Sequence, residues 1–171
     1  MRAGPAAPLV ITAELPQDLY SWATQLRTAH YPPERNFLKA HVTLFHALPP
    51  SAEAEVRDVL ARLAGRPPVP ARLEGVMSLG QGTALKIASP AMLVLRDTIA
   101  DHFHGLLTPQ DSHRPRLHVT VQNKVAPAAA KALLAELQSK VEPRDFTFRG
   151  MELHAYLDGP WELRGRWRFR A

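Results

Sequence analysis

The chain has 171 residues, 46% hydrophobic and 22% charged, enough for one globular body and too few for two large independent domains. It contains no cysteine, which excludes disulfides, thiolate nucleophiles and cysteine metal sites and permits a reducing compartment. Lys and Arg outnumber Asp and Glu by 21 to 16, a formal charge of +5 that favours an anionic partner but also fits a surface that is arginine-rich and binds nothing. No apolar run reaches bilayer-spanning length, and Pro5 and Pro8 break the opening MRAGPAAPLV before a signal-peptide core can form. A cytoplasmic protein that avoids membranes is therefore expected.

Taken in chain order, Leu9 to Leu15 reads as a strand, and Pro16 precedes a helix in which Leu19, Trp22, Leu26 and Ala29 recur at helical spacing until Pro32-Pro33 stops it. Lys39 to Leu48 is rich in β-branched and aromatic residues and ends at Pro49-Pro50. Ser51, as a cap, with Glu53 and Glu55, then opens a helix carrying Val56, Val59, Leu60 and Leu63. Two strand-like runs, Ala71 to Leu79 and Thr83 to Ala88, flank Gly80-Gln81-Gly82 as a hairpin does. From Pro90 the grammar begins again. A third helix carries Met92, Leu95, Ile99, Phe103 and Leu106, a polar loop covers Thr108 to Pro115, and Leu117 to Val125 reads as a strand. Pro127 opens a fourth helix with Ala130, Leu133, Leu134, Leu137 and Val141. The chain closes with strand-like Phe146 to Leu157, the turn Asp158-Gly159-Pro160 and strand-like Trp161 to Phe169.

The order strand, helix, strand, helix, hairpin thus occurs twice, once over about 9–88 and again over about 83–171, with one hairpin strand shared. His41 and His118 lie 77 residues apart, and Gly82 and Gly159 each follow their own histidine by 41 residues. The expected class is α+β: a single domain of two pseudo-twofold lobes whose antiparallel sheets form a central cleft.

Two tetrapeptides carry the chemistry, His41-Val42-Thr43-Leu44 and His118-Val119-Thr120-Val121. On a strand, alternate side chains share a face, so each run offers one imidazole and one hydroxyl together. Cleaving a phosphodiester needs a base for the nucleophile, an acid for the leaving oxygen and donors for the phosphoryl oxygens. Histidine suits both proton roles because its ordinary pKa, about 6.5, lets neutral and protonated copies coexist near neutrality. With 8 His and 9 Thr in the chain, chance gives about 0.4 His-x-Thr triplets, so a single one means little. A pair at equivalent places in a duplicated layout means more. The competing account is a pair of half-buried strand histidines satisfied by backbone groups, with Thr present for its β-propensity.

The paired His-apolar-Thr-apolar motif resembles that of the two-histidine (2H) phosphoesterases, which include the 2′-5′ RNA ligase-like proteins and the 2′,3′-cyclic phosphodiesterases. The resemblance covers nearly the whole chain and implies a bilobal α+β fold with both motifs facing one cleft and no metal or other cofactor. It also implies His41 and His118 as the catalytic pair, with Thr43 and Thr120 as phosphate-holding hydroxyls. The flanks depart from the usual pattern, Leu117 standing where many relatives carry proline and His46 where they carry an apolar residue.

Strand parity extends the catalytic face to Phe45 in the first run and to Gln122 and Lys124 in the second. Phe45 is then a stacking residue or part of the core, and Lys124 a phosphate contact or a solvated strand end. His46 and Asn123, on the opposite parity, are expected to anchor loops. Arg114 and Arg116 enter the second motif, within reach of a substrate phosphate. The terminal stripe Arg164, Arg166, Arg168 and Arg170 reads either as an RNA-backbone track or as a charged outer face that prevents edge-to-edge association. His102 and His104, two apart on a helix, point to different sides, so no metal site is expected. His30 and His154 read as ordinary surface or satisfied residues.

These readings converge on a monomeric, metal-independent phosphoesterase acting on a cyclic phosphodiester, a 2′,3′-cyclic phosphate at an RNA 3′ end or on a nucleotide, with the two histidine roles left exchangeable. The rival readings are 2′-5′ RNA ligation and an RNA- or nucleotide-binding module without turnover.

Overall fold

Alternating strands and helices of this polarity bury their apolar faces by packing helices against sheets. The computed structural model, which describes residues 7–171 and so leaves Pro5 outside it, does this with two four-stranded antiparallel sheets. The strands are β1 (Leu9–Glu14), β2 (Val42–Leu48), β3 (Val69–Ser78), β4 (Thr83–Ala88), β5 (His118–Gln122), β6 (Arg144–Phe148), β7 (Gly150–Tyr156) and β8 (Trp161–Arg168). The helices are α1 (Gln17–His30), α2 (Glu53–Leu63), α3 (Pro90–His102) and α4 (Pro127–Gln138). The class is α+β, as expected.

Local chemistry accounts for the helix ends. Pro16 is extended immediately before α1, and the helix stops at Tyr31, ahead of two prolines that disfavour continued helix. Ser89 caps α3, its hydroxyl accepting from the Met92 N–H at 3.1 Å with Pro90 in the first turn. Ser51 does not cap α2: it lies in a single 3-10 turn, Pro50–Ala52, and Ala52 precedes the helix. Nor does α3 reach Leu106. It ends at His102, Gly105 turns the chain with a φ of 91°, and Leu106 is left exposed.

The strand orders are β2-β1-β7-β8 and β5-β4-β3-β6. The sheets therefore divide the chain differently from the sequence repeat at 9–88 and 83–171. The first sheet takes the outer strands of the sequence and the second takes β3 to β6, so the hairpin of each repeat lies in the sheet that holds the motif strand of the other, β4 pairing with β5 directly and β7 with β1 beside β2. The run Phe146 to Leu157, expected as one strand, is two strands in different sheets: β6 pairs with β3, β7 with β1. The chain changes sheet at Arg149-Gly150, where a Cβ on Gly150 would meet the Trp167 carbonyl. One continuous apolar core runs through both lobes, from Ile11, Leu44 and Phe45 to Leu85, Val119 and Phe148.

The motif strands β2 and β5 are edge strands of their respective sheets and approach one another at the middle of the molecule. Both carry a bulge just after the motif threonine. Thr12 faces Thr43 while Ile11 faces Phe45, leaving Leu44 as the extra residue, and Ala84 faces Thr120 while Thr83 faces Gln122, leaving Val121. These two bulges decide which side chains reach the cleft.

Candidate functional site

His41 immediately precedes β2 and His118 begins β5, and both imidazoles are held alike. Each Nδ1–H donates to the carbonyl two residues back, His41 to Lys39 at 2.7 Å and His118 to Arg116 at 2.6 Å. A carbonyl oxygen only accepts, so Nδ1 carries the proton in both rings and Nε2 is free to take or give one. The two runs thus present the same tautomer in the same orientation relative to their strands. Thr43 and Thr120 are half-buried beside them.

Their surroundings differ. The His41 ring packs against Trp161 of β8 with centroids 4.7 Å apart and a tilt of 55°, and Trp161 also meets His154 of β7 at 5.1 Å. Enclosure is the main reason the His41 pKa falls from 6.5 to about 4. The Lys39 carbonyl opposes the fall, and the positive charges of Arg27, His154 and His118 add to it. The meeting of β2 and β5 brings the two histidines to the same part of the molecule.

Beyond the threonines, parity fails. The bulge at Leu44 turns Phe45 inward: its side chain is fully buried and lies under the Arg96 guanidinium, 4.1 Å from the ring centroid, so it cannot stack on a base. The bulge at Val121 does the same to Gln122, which is buried and accepts from Thr83 Oγ1, itself bonded to the Ala130 carbonyl of α4. Lys124 lies past the end of β5 with a φ of 58°, its side chain exposed and its carbonyl accepting from Arg35. Arg114, expected near a phosphate, is engaged instead by the Asp97 carboxylate at 2.6 Å. Arg116 keeps an exposed side chain while its carbonyl holds His118.

The expected loop anchors are present. His46 Nδ1 lies 3.2 Å from the buried Asp111 carboxylate, which also accepts from the His46 and Ala47 backbone N–H groups and so ties the loop before β5 to β2. The Asn123 side chain accepts from the Lys124 N–H.

Two arginines that sequence reasoning missed hold the motif strands. Arg27 of α1 is buried and donates to the Thr120 carbonyl at 2.8 Å, to the Leu38 carbonyl and to Asn36. Arg96 of α3 is buried and donates to the Leu44 carbonyl at 3.1 Å and to the Asp111 carbonyl. Each fills carbonyl positions at a bulge, where the strand ladder is disrupted. The only sequence signal is an arginine on the apolar stripe of an amphipathic helix.

The terminal arginines form neither a free track nor a plain outer face. The register shift at Leu153/His154 in the β7–β8 pairing separates Arg164, which bonds Glu53 of α2, from Arg166 and Arg168. These two line a cavity of about 310 Å³ beside His41 and pair with Glu152 and Glu14. His154, expected to be ordinary, lines the same cavity, its Nε2 3.2 Å from Thr12 Oγ1.

His102 is paired with Glu55 at 2.8 Å. Among the described residues no three His, Asp or Glu side chains come together as metal ligands, and no helix is long and apolar enough to cross a membrane.

The profile of the 2′-5′ RNA ligase superfamily matches residues 15–160. The chain belongs to that superfamily. It thereby falls among the 2H phosphoesterases. Among solved structures, the protein TT0787 of Thermus thermophilus is similar at 18% identity and a TM-score of 0.67, covering 96% of this chain and 98% of its own. The E. coli LigT complexes with 3′-AMP (18% identity, TM-score 0.65, 96% and 99% covered) and with NADP+ (14%, 0.63, 98% and 100%) share the fold. No curated protein sequence matches the chain.

Proposed function

We propose that this member of the superfamily is a metal-independent phosphoesterase that hydrolyses a 2′,3′-cyclic phosphate at an RNA 3′ end or on a nucleotide, with His41 as general base and His118 as general acid. One observation carries the reading: two imidazoles on facing edge strands, each with Nδ1–H tied to the carbonyl two residues back and Nε2 left to exchange a proton. The surroundings of His41 support this division of roles, because enclosure and neighbouring positive charge favour its neutral ring.

On this reading water attacks phosphorus and gives its proton to His41 Nε2. The bond from phosphorus to one ribose oxygen breaks, and His118 Nε2–H protonates that oxygen, yielding a nucleoside monophosphate. Thr43 and Thr120 donate hydroxyl hydrogens to the phosphoryl oxygens, where charge grows in the transition state. Ligation is the same displacement with an RNA 5′-hydroxyl in place of water. The test is incubation of purified protein with 2′,3′-cyclic nucleotides and analysis for monophosphate. Tight nucleotide binding with no turnover at any pH would favour the binding-module reading.

A further inference from the structure

Two cavities of about 310 and 230 Å³ adjoin beside His41 and share Tyr20, Ala40, His41, Glu152, His154 and Leu163. Trp161 and Phe37 line the smaller one. Phe37 is 58% exposed and Leu163 51%, and the two line the same cavity, where neighbouring exposed apolar side chains mark a binding surface. Exposed Phe37 and Leu163 therefore line the same cavity as His41 and the Trp161 ring packed on it, beside where a nucleotide's phosphate would react. The polar lining is equally specific. Arg166 donates to Glu152 Oε2 at 2.6 Å, whereas among the described residues Glu152 Oε1 has His154 Nε2 alone, at 3.6 Å. Hydrogen bonding and charge from His154 and Arg166 outweigh burial and hold the Glu152 carboxyl below its usual value, so it is an acceptor.

Resting on the phosphoesterase reading above, we propose that this double cavity seats the base of the nucleotide that carries the cyclic phosphate, with Trp161 and Phe37 against its face and Glu152 accepting from its edge. Adenine, guanine and cytosine each present an exocyclic amine to such an acceptor. Uracil presents one N–H flanked by two carbonyl oxygens that a carboxylate repels, and is the base selected against.

The experiment compares KM and kcat for the four 2′,3′-cyclic nucleotides and for ribose 2′,3′-cyclic phosphate lacking a base, using wild type, Trp161→Ala, Phe37→Ala and Glu152→Gln. Loss of base stacking should raise the nucleotide KM in Trp161→Ala about 10- to 100-fold more than the KM of the baseless ester, whose rate reads any effect exerted through the His41 ring, and by less in Phe37→Ala. Wild type should process the uridine ester worst, and Glu152→Gln should level the four. Equal losses on the baseless ester would mean that Trp161 merely supports the His41 ring, and a uridine ester preferred by wild type would remove the role of Glu152. Either result overturns the proposal. If wild type turns over none of these esters, the phosphoesterase reading fails on its own. Binding of 3′-nucleotides against ribose 3-phosphate, followed by tryptophan fluorescence in wild type and Trp161→Ala, then still decides the base site: no preference for the nucleotide overturns it.

Discussion

The sharpest test of the proposed mechanism is pH, because the duplicated motif predicts symmetric histidines and the structure encloses His41 against Trp161. With the His41 pKa lowered from 6.5 to about 4, about 90% of that ring is neutral at pH 5, against about 3% of an unperturbed histidine. A base limb governed by His41 should therefore place the acid side of the kcat/KM profile near pH 4, leaving about 30-fold more activity at pH 5 than an ordinary histidine base allows. The same difference has a signature in folding. The folded-state value is depressed, so the neutral ring's contribution is fully present above about pH 6.5 and is lost as pH falls toward 4, where the unfolded chain binds the proton better. The ideal loss over that window is about 3 kcal/mol, reduced to about 2 by the solvent access the half-buried ring retains. Steady-state kinetics from pH 3.5 to 9, with urea unfolding of wild type and His41→Gln at pH 4 and 7, measure both. An acid limb at pH 6 to 7 that shifts in His41→Gln, or an unfolding free energy equally pH-dependent in both proteins, would refute the assignment of His41 as the enclosed base.

Replacing His41 or His118 with Ala should each lower turnover by about 10²- to 10⁴-fold, and the double variant should lose far less than the product, as steady-state rates of the three variants would show. Chelation should leave the rate unchanged, since the described residues assemble no group of metal ligands; inactivation by EDTA that a divalent ion reverses would contradict this. Arg27→Met strands carbonyls on Thr120 and Leu38, and should destabilise the fold by about 2 to 4 kcal/mol in urea unfolding. Phe45→Leu should alter stability and leave the nucleotide KM unchanged in steady-state assays, because the Phe45 ring is buried beneath Arg96.

The four helices, the two motif strands and both hairpins were legible because each rests on local chemistry: proline at helix starts, apolar period, glycine at turns. What the sequence concealed was non-local. A bulge has no composition of its own, so parity carried Phe45 and Gln122 onto the catalytic face when one extra residue turns both inward. The division of Phe146 to Leu157 between two sheets was hidden by unbroken β-propensity, with Gly150 its one local trace. The glycines at equivalent spacing meet different needs. Gly82 lies where a Cβ would meet the Gln122 backbone, while Gly159 takes a φ of 134° in its turn. Glu152 and His154 did leave a signal, alternating with buried Met151, Leu153 and Ala155, but nothing local places them beside a histidine more than a hundred residues earlier.

That distant contact gives the duplicated motif two different surroundings, on which the proposed division of proton roles rests. The sequence repeat gives both imidazoles the same tautomer, the same backbone anchor and the same threonine two residues on. Were the sheets cut as the repeat is, each motif would meet its own hairpin and the two histidines would have equivalent surroundings. The strands are exchanged instead. The final hairpin, β7–β8, lies in the sheet of the first motif and brings Trp161 and His154 against His41, whereas the strand beside β5 brings Lys86 opposite His118. A histidine enclosed by an aromatic ring gives up its proton readily, and on the proposed mechanism that neutral ring is the one suited to take the proton from water. The asymmetry on which the proposed base and acid roles rest therefore resides in the hairpins and in how the sheets pair them, outside the motifs themselves.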